Sequence, residues 1–140
     1  KKVLPVTDIR MTRLMLNYDE VSEIIEECIK EAKNNNGGFV LSKLMKKVEL
    51  IRLAKSISNE INIVGLRPGE ELYEDLISES ELEFTELKGD YIFLRNEINQ
   101  NKSSRLKNSI SSKDALGMTD QEILEMIEIV KKNLYLNEYY

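Results

Sequence analysis

Residues 61–70 have the sequence INIVGLRPGE, and this stretch decides the fold that we expect. Residues 61–64 are an apolar run, typical of a buried strand. After Gly65 and Leu66 comes the string Arg67-Pro68-Gly69-Glu70. We predict a short helix over residues 70–77. Ligands of open α/β folds sit where a buried strand passes into a helix in this way. The stretch therefore predicts an α/β fold with a ligand site in the loop.

The residue types in the Arg67–Glu70 string suit a phosphate and a sugar. Pro68 fixes its own φ and keeps Arg67 out of the helical region, which leaves the guanidinium fork able to pair with two phosphate oxygens. Gly69 lets the backbone bend and approach a ligand closely. Glu70 could accept hydrogen bonds from two neighbouring hydroxyls, as on a ribose. The spacing alone leaves open a plain surface turn with a salt bridge and a helix cap.

A second candidate segment lies near the start of the chain, where residues 5–14 have the sequence PVTDIRMTRL. Arg10 and Arg13 are three residues apart, and the small hydroxyl residue Thr12 lies between them. They could face one anion, and we expect this strip to lie against the Arg67–Glu70 loop. The alternative is an exposed basic loop in an acidic protein.

The remaining elements follow from hydrophobic periodicity and capping signals. A helix should begin after Asn17, which has Glu20 as its capping-box partner, and end near Gly37-Gly38. Its predicted inward face comprises Val21, Ile24, Ile25, Cys28, Ile29 and Ala32, and its predicted solvated face comprises Glu23, Glu26, Glu27 and Glu31. We also predict a strand over residues 39–41, a helix over 48–58, a hairpin of 82–86 with 91–94, a polar surface loop over 96–112, and a last helix capped by Thr119 and Glu122.

Composition excludes several classes of function. The chain has 140 residues, of which 41% are apolar and 32% charged, as in a soluble globular domain. A net charge of −5 argues against a nucleic-acid surface, and no apolar run is long enough to cross a membrane. The single cysteine, Cys28, cannot form an internal disulfide, which fits a cytoplasmic protein. The chain has no histidine, which removes Ser-His catalysis and most zinc sites, so we predict no metal.

Three segments together resemble the C-terminal region of the extended short-chain dehydrogenase/reductase enzymes that act on UDP-sugars. They are residues 5–13 (PVTDIRMTR), residues 37–40 (GGFV) and residues 63–74 (IVGLRPGEELYE), in the same order and with fitting gaps. The chain is most similar to the polysaccharide-biosynthesis group of inverting UDP-N-acetylglucosamine 4,6-dehydratases. The resemblance is good from Val3 to Phe93 and loose from Ser111 to Ile123.

The resemblance implies a fold and a set of binding residues. The fold would be a small α/β C-terminal substrate-binding domain, with residues 1–95 binding the UDP-sugar, residues 96–140 forming a polar loop, helix and tail, and the Rossmann half absent. Arg67 would pair with the diphosphate, and Glu70 would hold the ribose hydroxyls. Pro5 and Thr7 would line the nucleotide, and Arg13 would be a second phosphate-facing cation. Arg10 would brace its loop.

The resemblance also implies an activity for a longer protein. NADP or NAD would oxidise C4 of UDP-N-acetylglucosamine or a related UDP-sugar, water would leave across C5 and C6, and hydride would return to C6. The residues that do this would lie in an upstream Rossmann half, so no catalytic residue is named here. The 140-residue chain alone should bind no cofactor and be inactive, and the full-length enzyme should be a homo-oligomer. A retaining dehydratase, a UDP-sugar epimerase and a non-catalytic sugar-nucleotide-binding or assembly module are the alternatives.

Overall fold

The protein was studied as a computed structural model, which describes residues 3–34 and 38–137. In chain order its elements are β1 (Leu4–Val6), β2 (Thr12–Met15), α1 (Tyr18–Asn34), β3 (Phe39–Lys43), β4 (Lys46–Glu49), α2 (Leu50–Ile57), β5 (Ile61–Ile63), β6 (Asp75–Ile77), β7 (Thr85–Lys88), β8 (Tyr91–Arg95), β9 (Ile110–Ser111) and α3 (Asp120–Asn137). Short 3₁₀ helices lie at Glu79–Phe84 and Lys102–Ser104. The mixture of helices and short strands confirms the predicted α/β class.

These elements form two compact units, each built from separate stretches of the chain. The first unit combines Lys1–Met15, Lys46–Glu74 and Leu116–Tyr140. The second combines Leu16–Met45 and Asp75–Ala115. The functional division expected at residue 95 stays a prediction.

The first unit contains two small sheets and two helices. Strands β1 and β5 pair in parallel, and β2 pairs with β4 in antiparallel register. Apolar side chains from both sheets, both helices and the loop after β1 are buried here, namely Val6, Met11, Val48, Ala54 and Ile123. Helix α2 begins at Leu50, two residues later than predicted, because Val48 belongs to β4, where it pairs with Arg13.

Two predictions about the stretch at residues 61–77 are wrong. Strand β5 is not buried, since Ile63 is 50% exposed and Val64 is 46% exposed. A two-stranded sheet gives its strands little cover, whereas a buried strand needs packing on both faces. The helix predicted over residues 70–77 does not form, and an irregular stretch leads from Glu70 to strand β6. The carboxylate of Glu70 turns back onto Arg67 and does not cap a helix.

The second unit is built on a three-stranded antiparallel sheet in the order β3-β8-β7. The predicted hairpin is confirmed, with Gly89 at a φ of +60° in the turn between β7 and β8. Its first strand is shorter than predicted, because the residues before Thr85 form a 3₁₀ helix. The stretch predicted as a polar surface loop is partly ordered, since it contributes β9 and the fully buried Ser112.

Helix α1 begins as predicted but packs on a different face. The backbone N–H of Asn17 donates to Glu20 (2.9 Å), and that of Glu20 donates to the Asn17 side chain (2.8 Å), which confirms the capping box. The predicted inward face is largely wrong, because four of its members are exposed, namely Val21, Ile25, Ile29 and Ala32. The residue that this helix buries is Glu31, which pairs with Arg95 at 2.7 Å. The predicted helix end at residues 35–37 lies outside the described residues.

Candidate functional site

The two segments singled out from the sequence lie side by side in the first unit. Because β1 and β5 run parallel, their carboxyl ends meet at the same edge of the sheet. The pairing continues beyond the strands, where Val64 N–H donates to Val6 C=O and Gly65 N–H donates to Thr7 C=O, each at 3.0 Å. The stretch that leads to Arg67 is therefore anchored to the loop that follows β1.

The Arg67–Glu70 string forms a closed turn. Glu70 N–H donates to Arg67 C=O (3.1 Å), and Arg67 N–H donates to the Glu70 carboxylate (3.0 Å). Pro68 occupies the second position of the turn and Gly69 the third, with a φ of +84° at Gly69, which is the geometry of a type II turn. Two hydrogen bonds thus hold the ends of a four-residue loop together.

The guanidinium of Arg67 is exposed and makes no hydrogen bond or ion pair with any residue that the structure describes. The five other arginines all donate to protein oxygens, namely Arg10, Arg13, Arg52, Arg95 and Arg105. Arg67 can therefore bind an anion from solvent through its five N–H donors, and this would break no hydrogen bond to the described residues.

Arg13 lies close to the same turn but points its donors at the protein. Its Nη1 and Nη2 donate to the carbonyls of Leu72 (3.3 Å) and Glu71 (3.0 Å), and its Nε lies 3.3 Å from a carboxylate oxygen of Glu74. The side chain is 25% exposed. Its role as a phosphate-facing cation stays a prediction, and the structure places it against the segment that follows the turn.

Asp8 and Arg10 form a paired brace in the loop after β1. The Arg10 backbone N–H and Nε donate to one oxygen of the Asp8 carboxylate (2.8 and 2.9 Å), and Nη2 donates to the other (2.8 Å). These bonds, the side-chain bond first, lower the pKa of Asp8 to about 2. Both partners therefore stay charged at neutral pH, and Arg10 braces its loop as the resemblance implies.

Pro5, Thr7 and Glu70 complete the set of predicted binding residues. Pro5 lies in β1 and is exposed, whereas Thr7 and Glu70 are half-buried. Sequence reasoning did not single out Glu74, which contacts both Arg13 and the backbone N–H of Leu14 (3.3 Å). No local signal could have found it, because its partners lie about 60 residues away along the chain.

We expect Gly69→Ala to destabilise the turn by about 1 kcal/mol, because a side chain at positive φ is strained. A Cβ at this position would meet no atom within 4 Å, so the loss would come from the backbone and not from a clash. Urea denaturation measures the change. Gly117→Ala is the matched control in the same unit, since a Cβ there also meets nothing and its φ is not in the left-handed range. Equal effects of the two changes would contradict this explanation.

Within residues 3–34 and 38–137, no group of three or more metal-ligating side chains is close enough to hold a metal ion. No helix in the described part of the chain is long and apolar enough to cross a membrane. The chemistry at hand is that of a cation, a carboxylate, a hydroxyl and the surrounding backbone groups.

Two known proteins are similar in sequence to this chain, over stretches of different length. A dehydratase of Campylobacter jejuni, a UDP-N-acetylglucosamine 4,6-dehydratase (inverting), is 27% identical over 86 residues, which cover 60% of this chain and 25% of that protein. An uncharacterized membrane protein of Methanocaldococcus jannaschii is 28% identical over 132 residues, which cover 84% of this chain and 38% of that protein. The chain thus spans well under half the length of these relatives.

A solved structure supports the fold. The X-ray structure of Pen from Bacillus thuringiensis superposes with a TM-score of 0.74 and 21% sequence identity, over 91% of this chain and 41% of that one. The model of the family described as polysaccharide biosynthesis protein matches residues 1–96, which include both anchored segments and the turn. This match covers more than half of the chain, which therefore belongs to the polysaccharide biosynthesis protein family.

Proposed function

We propose that this chain is the UDP-sugar-binding part of a nucleotide-sugar dehydratase, and that the Arg67–Glu70 turn grips the nucleotide. The observation that carries the proposal is the exposed guanidinium of Arg67, which pairs with none of the described residues and lies on a turn anchored at the carboxyl ends of two parallel strands. Family membership and the similarity to a UDP-N-acetylglucosamine 4,6-dehydratase support a role in sugar biosynthesis.

In the proposed complex, the positively charged side chain binds the phosphates and the carboxylate binds the hydroxyls. Arg67 pairs with the diphosphate through two parallel hydrogen bonds, as a guanidinium does with phosphate oxygens. Glu70 accepts from ribose hydroxyls with the oxygen that does not hold Arg67 N–H. Pro5 and Thr7 line the nucleotide beside the turn, and Arg13 belongs to the same site. Binding energy from the nucleotide then holds the sugar in place for chemistry elsewhere in the protein.

The Arg67–Glu70 turn lacks the helix that holds the pyrophosphate of a nicotinamide cofactor in dinucleotide-binding folds. Dinucleotide-binding folds hold the pyrophosphate at the N-terminus of a helix that follows a glycine-rich turn. The stretch after Glu70 is irregular and begins no helix. We propose that NADP or NAD, which would take up the hydride and then return it, is held by another part of a longer, cytoplasmic and homo-oligomeric enzyme, together with the catalytic residues.

Incubating the full-length protein with UDP-N-acetylglucosamine tests the proposal. Mass spectrometry should find a product that has lost one water, and inversion at C5 in that product separates the inverting from the retaining reaction. An unchanged mass with altered stereochemistry would indicate an epimerase instead. If UDP binds and the sugar is unchanged, the non-catalytic binding module is the correct alternative. Failure to bind UDP would contradict every one of these assignments.

A further inference from the structure

The carboxylate of Glu74 joins the side chain of Arg13 to the backbone of strand β2. One of its oxygens lies 3.3 Å from Arg13 Nε, and the other accepts a hydrogen bond from the backbone N–H of Leu14 (3.3 Å). Because Arg13 and Leu14 are neighbours on β2, this one carboxylate fixes the guanidinium relative to the strand that carries it. The Glu74 side chain is 48% exposed, so solvent screens the attraction, and we expect its effect to lie in the orientation of the guanidinium.

Four of the five N–H donors of Arg13 are directed at protein oxygens. Nη1 donates to two backbone carbonyls (2.7 and 3.3 Å), Nη2 donates to the carbonyl of Glu71 (3.0 Å), and Nε faces Glu74. The second N–H of Nη2 has no acceptor among the residues that the structure describes. Glu71 directly follows the Arg67–Glu70 turn. The remaining donor is therefore carried by the nitrogen that contacts the residue adjoining the turn.

We propose that Glu74 is a positioning residue, which holds the guanidinium of Arg13 so that the remaining N–H of Nη2 is presented to the diphosphate of the UDP-sugar. This inference rests on the proposed function, in which Arg13 belongs to the same site as Arg67. A guanidinium that is already held in its binding orientation loses less conformational entropy when the ligand binds, and the affinity rises accordingly. Glu74 thus acts on the ligand through Arg13 and does not contact it.

Glu74→Gln removes this bridge with almost no change in the shape of the side chain. Arg13 Nε and the backbone N of Leu14 are both donors, and the carboxylate offers an oxygen to each of them. A glutamine offers one oxygen and an NH₂ group, which is itself a donor, so it can satisfy only one of the two. We expect UDP to bind about two- to fivefold more weakly to the full-length Glu74→Gln protein, as measured by isothermal titration.

Uridine distinguishes the positioning of Arg13 from a general structural role of Glu74. Because uridine lacks the phosphates, its affinity should not change in Glu74→Gln, whereas a loosened site would weaken uridine and UDP by the same factor. Ligand-observed NMR titration measures the weaker ligand. Asp120→Asn is the matched control and should change neither affinity, since Asp120 also pairs with an arginine of the first unit, Arg52 (2.6 Å). Equal losses for the two ligands, or an unchanged UDP affinity, would overturn the proposal.

A double-mutant cycle shows whether Glu74 acts through Arg13. Arg13→Met removes the cation and keeps an unbranched side chain, so the effect of Glu74→Gln on UDP affinity should vanish in that background. Additive losses would refute the positioning role, because Glu74 would then act on the nucleotide by another route. If Arg13→Met does not fold, the comparison of UDP with uridine decides alone. If Glu74→Gln does not fold, Glu74→Asp replaces it, since its shorter side chain cannot reach both donors.

Failure of this inference and failure of the proposed function give different results. If Arg67→Ala weakens UDP binding and Glu74→Gln does not, the function of the turn stands and the positioning role is wrong. If Arg67→Ala leaves UDP affinity intact, the proposed function fails. The comparison of UDP with uridine in Glu74→Gln still decides the role of Glu74 in that case.

Discussion

Replacing Arg67 by alanine in the full-length protein should weaken UDP-sugar binding by about 10- to 100-fold, while leaving the fold intact. The loss in affinity follows from removing a charged fork that can make two parallel hydrogen bonds to the diphosphate. The fold should survive because the guanidinium forms no hydrogen bond or ion pair with the described residues, and the turn is closed by the backbone of Arg67. Isothermal titration with UDP-N-acetylglucosamine measures the affinity, and urea denaturation should show a change within about 0.5 kcal/mol.

Two further variants distinguish the contribution of the guanidinium geometry to the affinity from the contribution of positive charge alone. Lys55→Ala removes an exposed cation from helix α2 in the same unit, and it should leave the affinity unchanged. Arg67→Lys keeps the charge but loses the two-bond geometry, so its affinity should lie between those of the parent and Arg67→Ala. Equal affinities for the parent protein and Arg67→Ala would remove Arg67 from the site and, with it, the main support for the proposed function.

Phe93→Ala should lower the free energy of unfolding by about 3–5 kcal/mol, the largest stability change that we expect in this protein. Phe93 is 0% exposed on the central strand of the second unit's sheet. Its ring lies 5.8 Å from that of Phe39, with Lys88 Nζ at 4.8 Å and Arg95 Cζ at 5.3 Å from its centroid. Truncation would leave a cavity and also remove the surface on which the two cations rest.

Val40→Ala is the matched control for Phe93→Ala, since Val40 lies on β3 of the same sheet and is 64% exposed. Its removal should change the free energy of unfolding by no more than about 0.5 kcal/mol. Urea denaturation followed by circular dichroism measures both variants. Comparable losses in the two variants would show that burial in this sheet does not govern its stability.

The features predicted correctly from the sequence depend on residues that are close neighbours along the chain. The capping boxes of Asn17 with Glu20 and of Thr119 with Glu122 each join residues three apart. The hairpin depends on the short turn around Gly89. Such contacts form within one turn of chain, so few residues decide them and little entropy is lost in closing them.

The wrong predictions concern segments whose structure depends on contacts with residues far away along the chain. Glu31 was predicted on the solvated face of helix α1, but it is buried, because it pairs with Arg95, which lies 64 residues away along the chain. A helix was predicted after Glu70, yet that stretch is bound by Arg13 and passes into a strand. Tertiary contacts of this kind override local propensity.

For the candidate site, the sequence by itself determined the Arg67–Glu70 turn, because Pro68 fixes its own φ and Gly69 permits the positive φ that a type II turn needs at its third position. The resemblance to the family rested on the segment that contains this turn together with residues 5–13 and 37–40. Tertiary structure alone decided what surrounds the turn, namely the parallel pairing of β1 with β5 and the contacts of Arg13 with residues 71–74. An arginine can donate to a phosphate, a carboxylate or a carbonyl. Only the packing of the chain left Arg67 unpaired among the described residues and engaged Arg13.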